Sequence, residues 1–345
     1  MVPCQLRKRY FYGTILPTVA IHGENASIRL VAMGGTIAFA SGQDGAEPAF
    51  DGSALARTVA TDGIELEPVD LARMSSIGLR DHHLLALARL VEDTIEDGSA
   101  GVIVTHGTDT LEETAYFLAL TCQWGRIPIV LTGAMRHNGD AASDGPSNLR
   151  AAVAVVRSSE AARVGPVVVM ADEIHTARFV TKYHAARIAA FRSPANGPIG
   201  HVLEGEATIW YRPAYTDHLA RIDGERLPRV EIVTTSLAAS PDALQAVIDT
   251  VPDGLVIEGF GGGHVGPEFL DALASARHRG IPTIVTSRCA DGTTLRRTYA
   301  VPGTEIDLQQ RGAVMAGALS AIKARLRLAV AIAAGVPVGA AFPVQ

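Results

Sequence analysis

The sequence predicts an α/β protein of two α/β domains: a larger N-terminal domain with a mostly parallel sheet and a smaller C-terminal parallel α/β domain. Three features predict this. Short apolar runs alternate with segments whose apolar residues fall at helical spacing. Polar clusters stand directly after several of those runs, where an open α/β sheet binds its ligands. A stretch without period, 201–228, separates the first alternating series from a second. The expected layout is an N-terminal extension at 1–26, a domain over 27–200, a linker over 201–228 and a domain over 229–345.

Taken in order, residues 28–32 read as the first strand, interrupted by Met33-Gly34-Gly35-Thr36 and continued at 37–40. Residues 41–53 are polar and rich in Gly and Pro, a mobile loop by composition. A helix begins within 53–61, and 64–69 is a short strand ending in a turn at Met74-Ser75-Ser76. Asp81 caps a helix with apolar residues at Leu84, Leu85, Leu87, Ala88, Val91 and Ile95. Strand 102–104 leads into His106-Gly107-Thr108-Asp109-Thr110 and a helix over 112–123. Then follow strand 128–131, helix 149–156 and strand 166–170. The second series is strand 230–234, helix 241–249, strand 254–258, a glycine turn, helix 268–279, strand 283–286 and a long helix over 313–334.

Composition bounds the function. With 345 residues, 48% hydrophobic and 19% charged, the chain can bury a large core. The formal net charge of −6, without a basic block, argues against a nucleic-acid partner. Three widely spaced cysteines, Cys4, Cys122 and Cys289, exclude a CxxC site and point to a reducing compartment. The basic Arg7-Lys8-Arg9 is followed by an apolar stretch broken by Gly13, Pro17 and His22, which is not a clear signal peptide. No apolar run approaches membrane-spanning length; 326–336 is too short. A cytoplasmic location is the expectation, with a periplasmic one as the alternative.

The densest polar cluster is His106–Thr110. Helix capping uses one such side chain, so four polar side chains exceed what a cap needs. The chemical reading is a threonine hydroxyl activated by a base. Asp109 alone is a weak base, whereas a lysine deprotonated by burial and oriented by Asp109 would serve. Lys182 is the candidate; Lys8 and Lys323 are expected in a tail and on a solvated helix face. Gly34-Gly35-Thr36 lacks the spacing of a P-loop and the third glycine of a dinucleotide fingerprint. Its alternative use is a second threonine beside backbone amides that form an oxyanion hole. The glycine turn 259–264 reads as a turn with His264 toward a ligand. His82, His83 and His175 show no metal-ligand spacing and read as solvated imidazoles, so no metal is expected.

These motifs resemble those of the bacterial-type L-asparaginases of the asparaginase/glutaminase family. The resemblance runs from about 28 to 334 through MGGTIA at 33–38, VTHGTDTLEETAYFL at 104–118, LTGAMR at 131–136, SDGPSNL at 143–149, EIHTARFVTKYH from 173 and FRSPANGPIG ending at 200. It implies L-asparagine hydrolysis without a cofactor, by homotetramers whose sites lie between subunits. It also implies roles. Thr36 matches the primary nucleophile, and Thr108, Asp109 and Lys182 match the second triad. Ser76 matches the serine that holds the substrate α-carboxylate, with Ser75, Gly35 and Ala134 beside it. Glu305, upstream of the 323–325 KAR triplet, matches a glutamate that reaches a neighbouring subunit's site.

Three departures stand out. Residues 37–62 contain no tyrosine, although the family's loop carries one that helps activate the first threonine. His264 stands where many members have asparagine, and Met33 replaces the threonine that usually opens the first motif. The alternatives weighed are a catalytically weak or inactive binding or regulatory protein, a dinucleotide binder, and the related amidotransferase subunit acting on glutamyl-tRNA. The last is disfavoured by the negative charge and the short N-terminal extension.

Overall fold

The computed structural model describes residues 27–59, 65–214 and 217–343. The extension expected at 1–26 lies outside the described residues. The strands are β1 (Ile28–Gly34), β2 (Phe39–Ser41), β3 (Ala46–Pro48), β4 (Leu66–Met74), β5 (Gly101–Thr105), β6 (Ile129–Thr132), β7 (Val167–Met170), β8 (Glu173–Thr176), β9 (Thr181–Lys182), β10 (Phe191–Arg192), β11 (Gly200–Leu203), β12 (Glu206–Ile209), β13 (Val230–Thr234), β14 (Gly254–Gly259), β15 (Thr283–Ser287) and β16 (Val314–Met315). The helices are α1 (Gly52–Arg57), α2 (Asp81–Asp97), α3 (Leu111–Thr121), α4 (Gly145–Arg157), α5 (Asp242–Asp249), α6 (Leu270–His278), α7 (Glu305–Gln310), α8 (Ala321–Ala333) and α9 (Val338–Ala341).

The large sheet runs β12-β11-β8-β7-β6-β5-β1-β4. From β4 to β7 its pairs are parallel, and from β7 to β12 they are antiparallel. Strands β5, β6 and β7 are buried at every residue, as continuous apolar runs covered on both faces must be. Side chains alternate between the faces. Val31, Met33, Val102 and Val104 join α2 and α3 in one cluster, while Leu30, Ile103 and Val130 join α4 in the other. The small sheet, β13-β14-β15-β16, is wholly parallel. Helices α5 and α6 cover one face, and α8 covers the other. Because α8 also packs on α3, one core cluster is continuous between the domains.

Several elements differ from expectation. The first strand continues to Gly34 and then turns, because Gly35 has φ +81 and a Cβ there would lie 2.2 Å from Gly107 Cα. Residues 39–48 form the hairpin β2–β3 rather than a structureless loop, and Asp51 caps α1 by accepting from Ala54 N. Asp81 begins α2 instead of capping it; Arg80 is the N-cap, and its N–H donates to His83 Nδ1. Residues 201–209, read as the start of the linker, belong with Gly200 to the edge hairpin β11–β12 of the large sheet. The long helix expected over 313–334 is divided. Val314 and Met315 pair with β15, Gly317 turns at φ +67, and the helix starts at Ala321. An apolar segment buried in either state gives no period that separates strand from helix.

Candidate active site

In the order β4-β1-β5-β6, the chain leaves β1 toward β4 and leaves β5 toward β6 on the opposite side. The carboxyl ends of β1 and β5 therefore flank the switch point of the sheet, where α/β proteins bind ligands. Gly35-Thr36 follows β1, and His106-Gly107-Thr108-Asp109 follows β5. The two motifs touch backbone to backbone through Gly35 and Gly107. Thr36 opens a single 3-10 turn, half-buried, and its hydroxyl has no hydrogen-bond partner among the described residues.

Lys182 arrives from β9 and joins the second motif. Its Nζ donates to Thr108 Oγ1 at 2.9 Å and to Asp109 Oδ1 at 2.6 Å. Thr108 is buried, the Lys182 side chain is 15% exposed and that of Asp109 is 55% exposed. Lys182 Nζ is thus fixed between an accessible carboxylate and a shielded hydroxyl. Ser76 sits against the same turn: a Cβ on Gly107 would lie 2.6 Å from Ser76 Oγ. That oxygen is buried without a hydrogen-bond partner among the described residues, while the Ser76 carbonyl accepts from Thr110 Oγ1 at 3.2 Å. Ser75 precedes the 3-10 turn at Ser76–Gly78 and accepts from Gly78 N through its carbonyl.

Ala134 is buried in the turn after β6. Asp144 holds that turn, accepting from Met135 N at 3.0 Å and Arg136 N at 2.8 Å. Asn148 donates from Nδ2 to Gly133 O at 3.0 Å and accepts from Ala171 N at 3.0 Å. The SDGPSNL motif is thus the brace of the LTGAMR turn. Gly133 in turn lies against the Thr108 methyl group.

His106 is a strut. A carbonyl accepts only, so Nδ1 carries the proton donated to Gly107 O at 2.7 Å, and Nε2 accepts from Thr114 Oγ1 at 3.0 Å. Burial depresses this imidazole to about 4, partly opposed by its bond to Gly107, so it is neutral near pH 7. It ties the turn bearing Thr108 to α3.

His264 and Glu305 form a second group, in the C-terminal domain. Glu305 is fully buried; its Oε1 accepts from Thr298 N and Tyr299 N at 2.6 Å, and its Oε2 meets His264 Nε2 at 3.0 Å. Burial raises the Glu305 carboxyl, but the Tyr299 and Thr298 amides and His264 together bring it below its ordinary value. The Tyr299 ring stands edge-on to His264 at 5.6 Å. Among the described residues, the hydrogen bonds of this pair stay within the C-terminal domain.

Two residues were misplaced by sequence reasoning. Lys323, read as solvated, is 2% exposed; its Nζ donates to Arg178 O at 3.1 Å and to Val180 O. Burial pushes it down to about 8, opposed mainly by Glu112. His175, also read as solvated, is fully buried against Ser193 Oγ at 3.1 Å. Glu112 was missed: its Oε1 accepts from Thr181 Oγ1 at 3.0 Å and Lys182 N at 3.1 Å. Its place in the first turn after Thr108-Asp109 is the one signal that could have found it.

Lys182 and Lys323 line a cavity of about 380 Å³ between the domains, together with Arg288, Cys289 and Asp291. Ser76 and Thr110 line another of about 640 Å³. Thr36 lines neither. Chemically, two hydroxyls at a switch point, one bonded to a lysine–aspartate pair, suit proton transfer and acyl transfer.

Residues 27–215 match the family model described as "Asparaginase, N-terminal", and residues 229–338 match "Glutaminase/Asparaginase C-terminal domain". An L-asparaginase of Bacillus licheniformis is 31% identical over 313 residues, covering 90% of this chain and 96% of that protein. A glutaminase-asparaginase of Acinetobacter glutaminasificans is 34% identical over 322 residues, covering 89% and 95%. L-asparaginase 2 of Escherichia coli strain K12 is 32% identical over 321 residues, covering 89% and 88%. Matched over both domains and nearly its whole length, the chain belongs to the asparaginase family.

Proposed function

We propose that the protein hydrolyses L-asparagine to L-aspartate and ammonia, with a side activity on L-glutamine read in the same assay. The observation that carries this is Lys182 Nζ bonded to Thr108 and Asp109 where the Gly35 and Gly107 backbones meet. In this reading the Thr36 hydroxyl attacks the side-chain amide carbon. Backbone amides beside Gly35 and the Thr108 hydroxyl hold the oxyanion. The C–N bond breaks, ammonia leaves with the proton taken from Thr36, and water then cleaves the acyl ester. Thr108, Lys182 and Asp109 move the protons. Asp109 also takes the substrate α-amino group, and Ser76, with Ser75 and Ala134 beside it, takes the α-carboxylate. The buried Ser76 hydroxyl, without a hydrogen-bond partner among the described residues, supports that role.

The assembly proposed is a homotetramer, in which Glu305 and His264 of one subunit complete the site of another. Among the described residues, the hydrogen bonds of Glu305 and His264 reach neither Lys182 nor Thr36, which supports this reading. No helix among the described residues is long and apolar enough to cross a membrane, and a cytoplasmic location is proposed. The second reading, a weak or inactive relative, is favoured by one observation: residues 37–62 beside Thr36 offer Phe39 and Phe50 and no tyrosine. Ammonia release from L-asparagine, L-glutamine and D-asparagine separates the two. Wild type is expected to release ammonia from L-asparagine, and Thr36→Ala to lose on the order of 10³-fold or more in kcat. No release from any amide would sink the enzyme reading, and full activity in Thr36→Ala would sink the nucleophile.

A further inference from the structure

Strand β9, which carries Lys182, is two residues long and pairs with a strand equally short. So small a ladder does not hold itself in place. Two buried ions bond to the same segment. Glu112, in the first turn of α3, accepts from the Thr181 hydroxyl and the Lys182 amide through Oε1. Its Oε2 has no hydrogen-bond partner among the described residues and faces Lys323 Nζ at 3.6 Å. Lys323 comes from α8 in the C-terminal domain and donates to the carbonyls of Arg178 and Val180 in the same segment. Lys182 is therefore gripped at both ends by one stretch of chain, its Nζ by Thr108 and Asp109 and its backbone by Glu112.

We propose that Glu112 and Lys323 are positioning residues for Lys182: a buried ion pair, one member from each domain, that fixes the 178–182 backbone so that Lys182 meets Thr108 and Asp109. The inference rests on the reading of Lys182 as part of the amidohydrolase site. It makes that site conditional on the docking of α8, since without the Lys323 charge the Glu112 carboxylate is buried uncompensated and the segment it grips is released. A pair that merely glued the domains would lower stability and leave the folded enzyme's kcat alone.

The test uses Lys323→Met, Glu112→Gln, the double variant and Lys323→Arg, each at a temperature where calorimetry shows it folded. Ammonia release gives kcat and KM, and hydrogen exchange reads the amides of 178–183. Lys323→Met is expected to lose roughly tenfold or more in kcat, with KM within about threefold and faster exchange across 178–183. Lys323→Arg keeps the charge and should restore part of kcat. The double variant strands no charge and should recover part of the loss of Lys323→Met. Folded Lys323→Met with kcat within about twofold of wild type and unchanged exchange overturns the proposal. If that variant does not fold, the double variant carries the test: wild-type kcat and exchange there overturn it. If wild type releases no ammonia, the functional reading fails, and the exchange measurement still decides whether the pair holds the Lys182 segment.

Discussion

At the scale of the residue, the site depends on what is missing at two glycines and on which nitrogen carries a proton. A methyl group on Gly35 would lie 2.2 Å from Gly107 Cα, and its φ of +81 strains any other residue. Gly35→Ala is therefore expected to part the two threonine motifs, with a loss of more than about 1 kcal/mol in urea unfolding and of most activity. Retained activity would show that the contact is not needed. The buried imidazoles set acid behaviour. His106 and His175 are depressed to about 4 by burial, His175 also by the Lys323 charge. In the unfolded chain they protonate below about 6.5. Between those limits the unfolded state binds more protons, so stability falls as pH drops from about 6.5 toward 4, by roughly 3 kcal/mol for each. Above that window these two groups add no pH dependence. Urea midpoints at pH 7 and 4.5 check this, and His175→Gln should flatten its share of the slope.

At the scale of the element, the active-site turns are held by side chains from the next helix rather than by their own sequence. The turn after β6 is the clearest case. Asp144 takes the amides of Met135 and Arg136, and Asn148 fixes Gly133 and Ala171. Asp144→Ala leaves those amides without their acceptor, which costs about 1–3 kcal/mol. Because Gly133 lies against Thr108 and Ala134 lies in the same turn, KM for L-asparagine should rise as well. A variant with lowered melting temperature and unchanged KM would confine Asp144 to stability. The same logic explains His106, which links the turn after β5 to Thr114 on α3.

At the scale of the whole molecule, α8 is the element that joins the domains. Its Arg327 donates to Asp217 Oδ1 at 2.9 Å and to the Tyr116 hydroxyl at 3.2 Å, and Arg178 also bonds Asp217. All four side chains are buried. Asp217→Ala leaves the Arg327 charge in the interior without its carboxylate, a loss of about 3–5 kcal/mol. Calorimetry should then show a lower melting temperature and two transitions where wild type shows one. A single transition at the wild-type temperature would mean the network does not couple the domains.

Much of the fold was legible in the sequence because parallel strands covered on both faces are continuous apolar runs, and glycines mark the turns between them. The threonine motifs were legible because they carry more polar side chains at the strand ends than capping or packing requires, His106 being the one that serves as a strut. Other features were decided in three dimensions. Val314-Met315 and α8 read as one helix because burial on all sides erases period, and pairing with β15 separated them. Lys323 read as a solvated face because a lysine's partners lie far away in the chain, here at Arg178, Val180 and Glu112. The sequence by itself determined which chemical groups stand at the ends of β1 and β5. Which charges are shielded, and which domain steadies Lys182, was decided by tertiary packing, since burial is a property of what surrounds a side chain and not of the side chain itself.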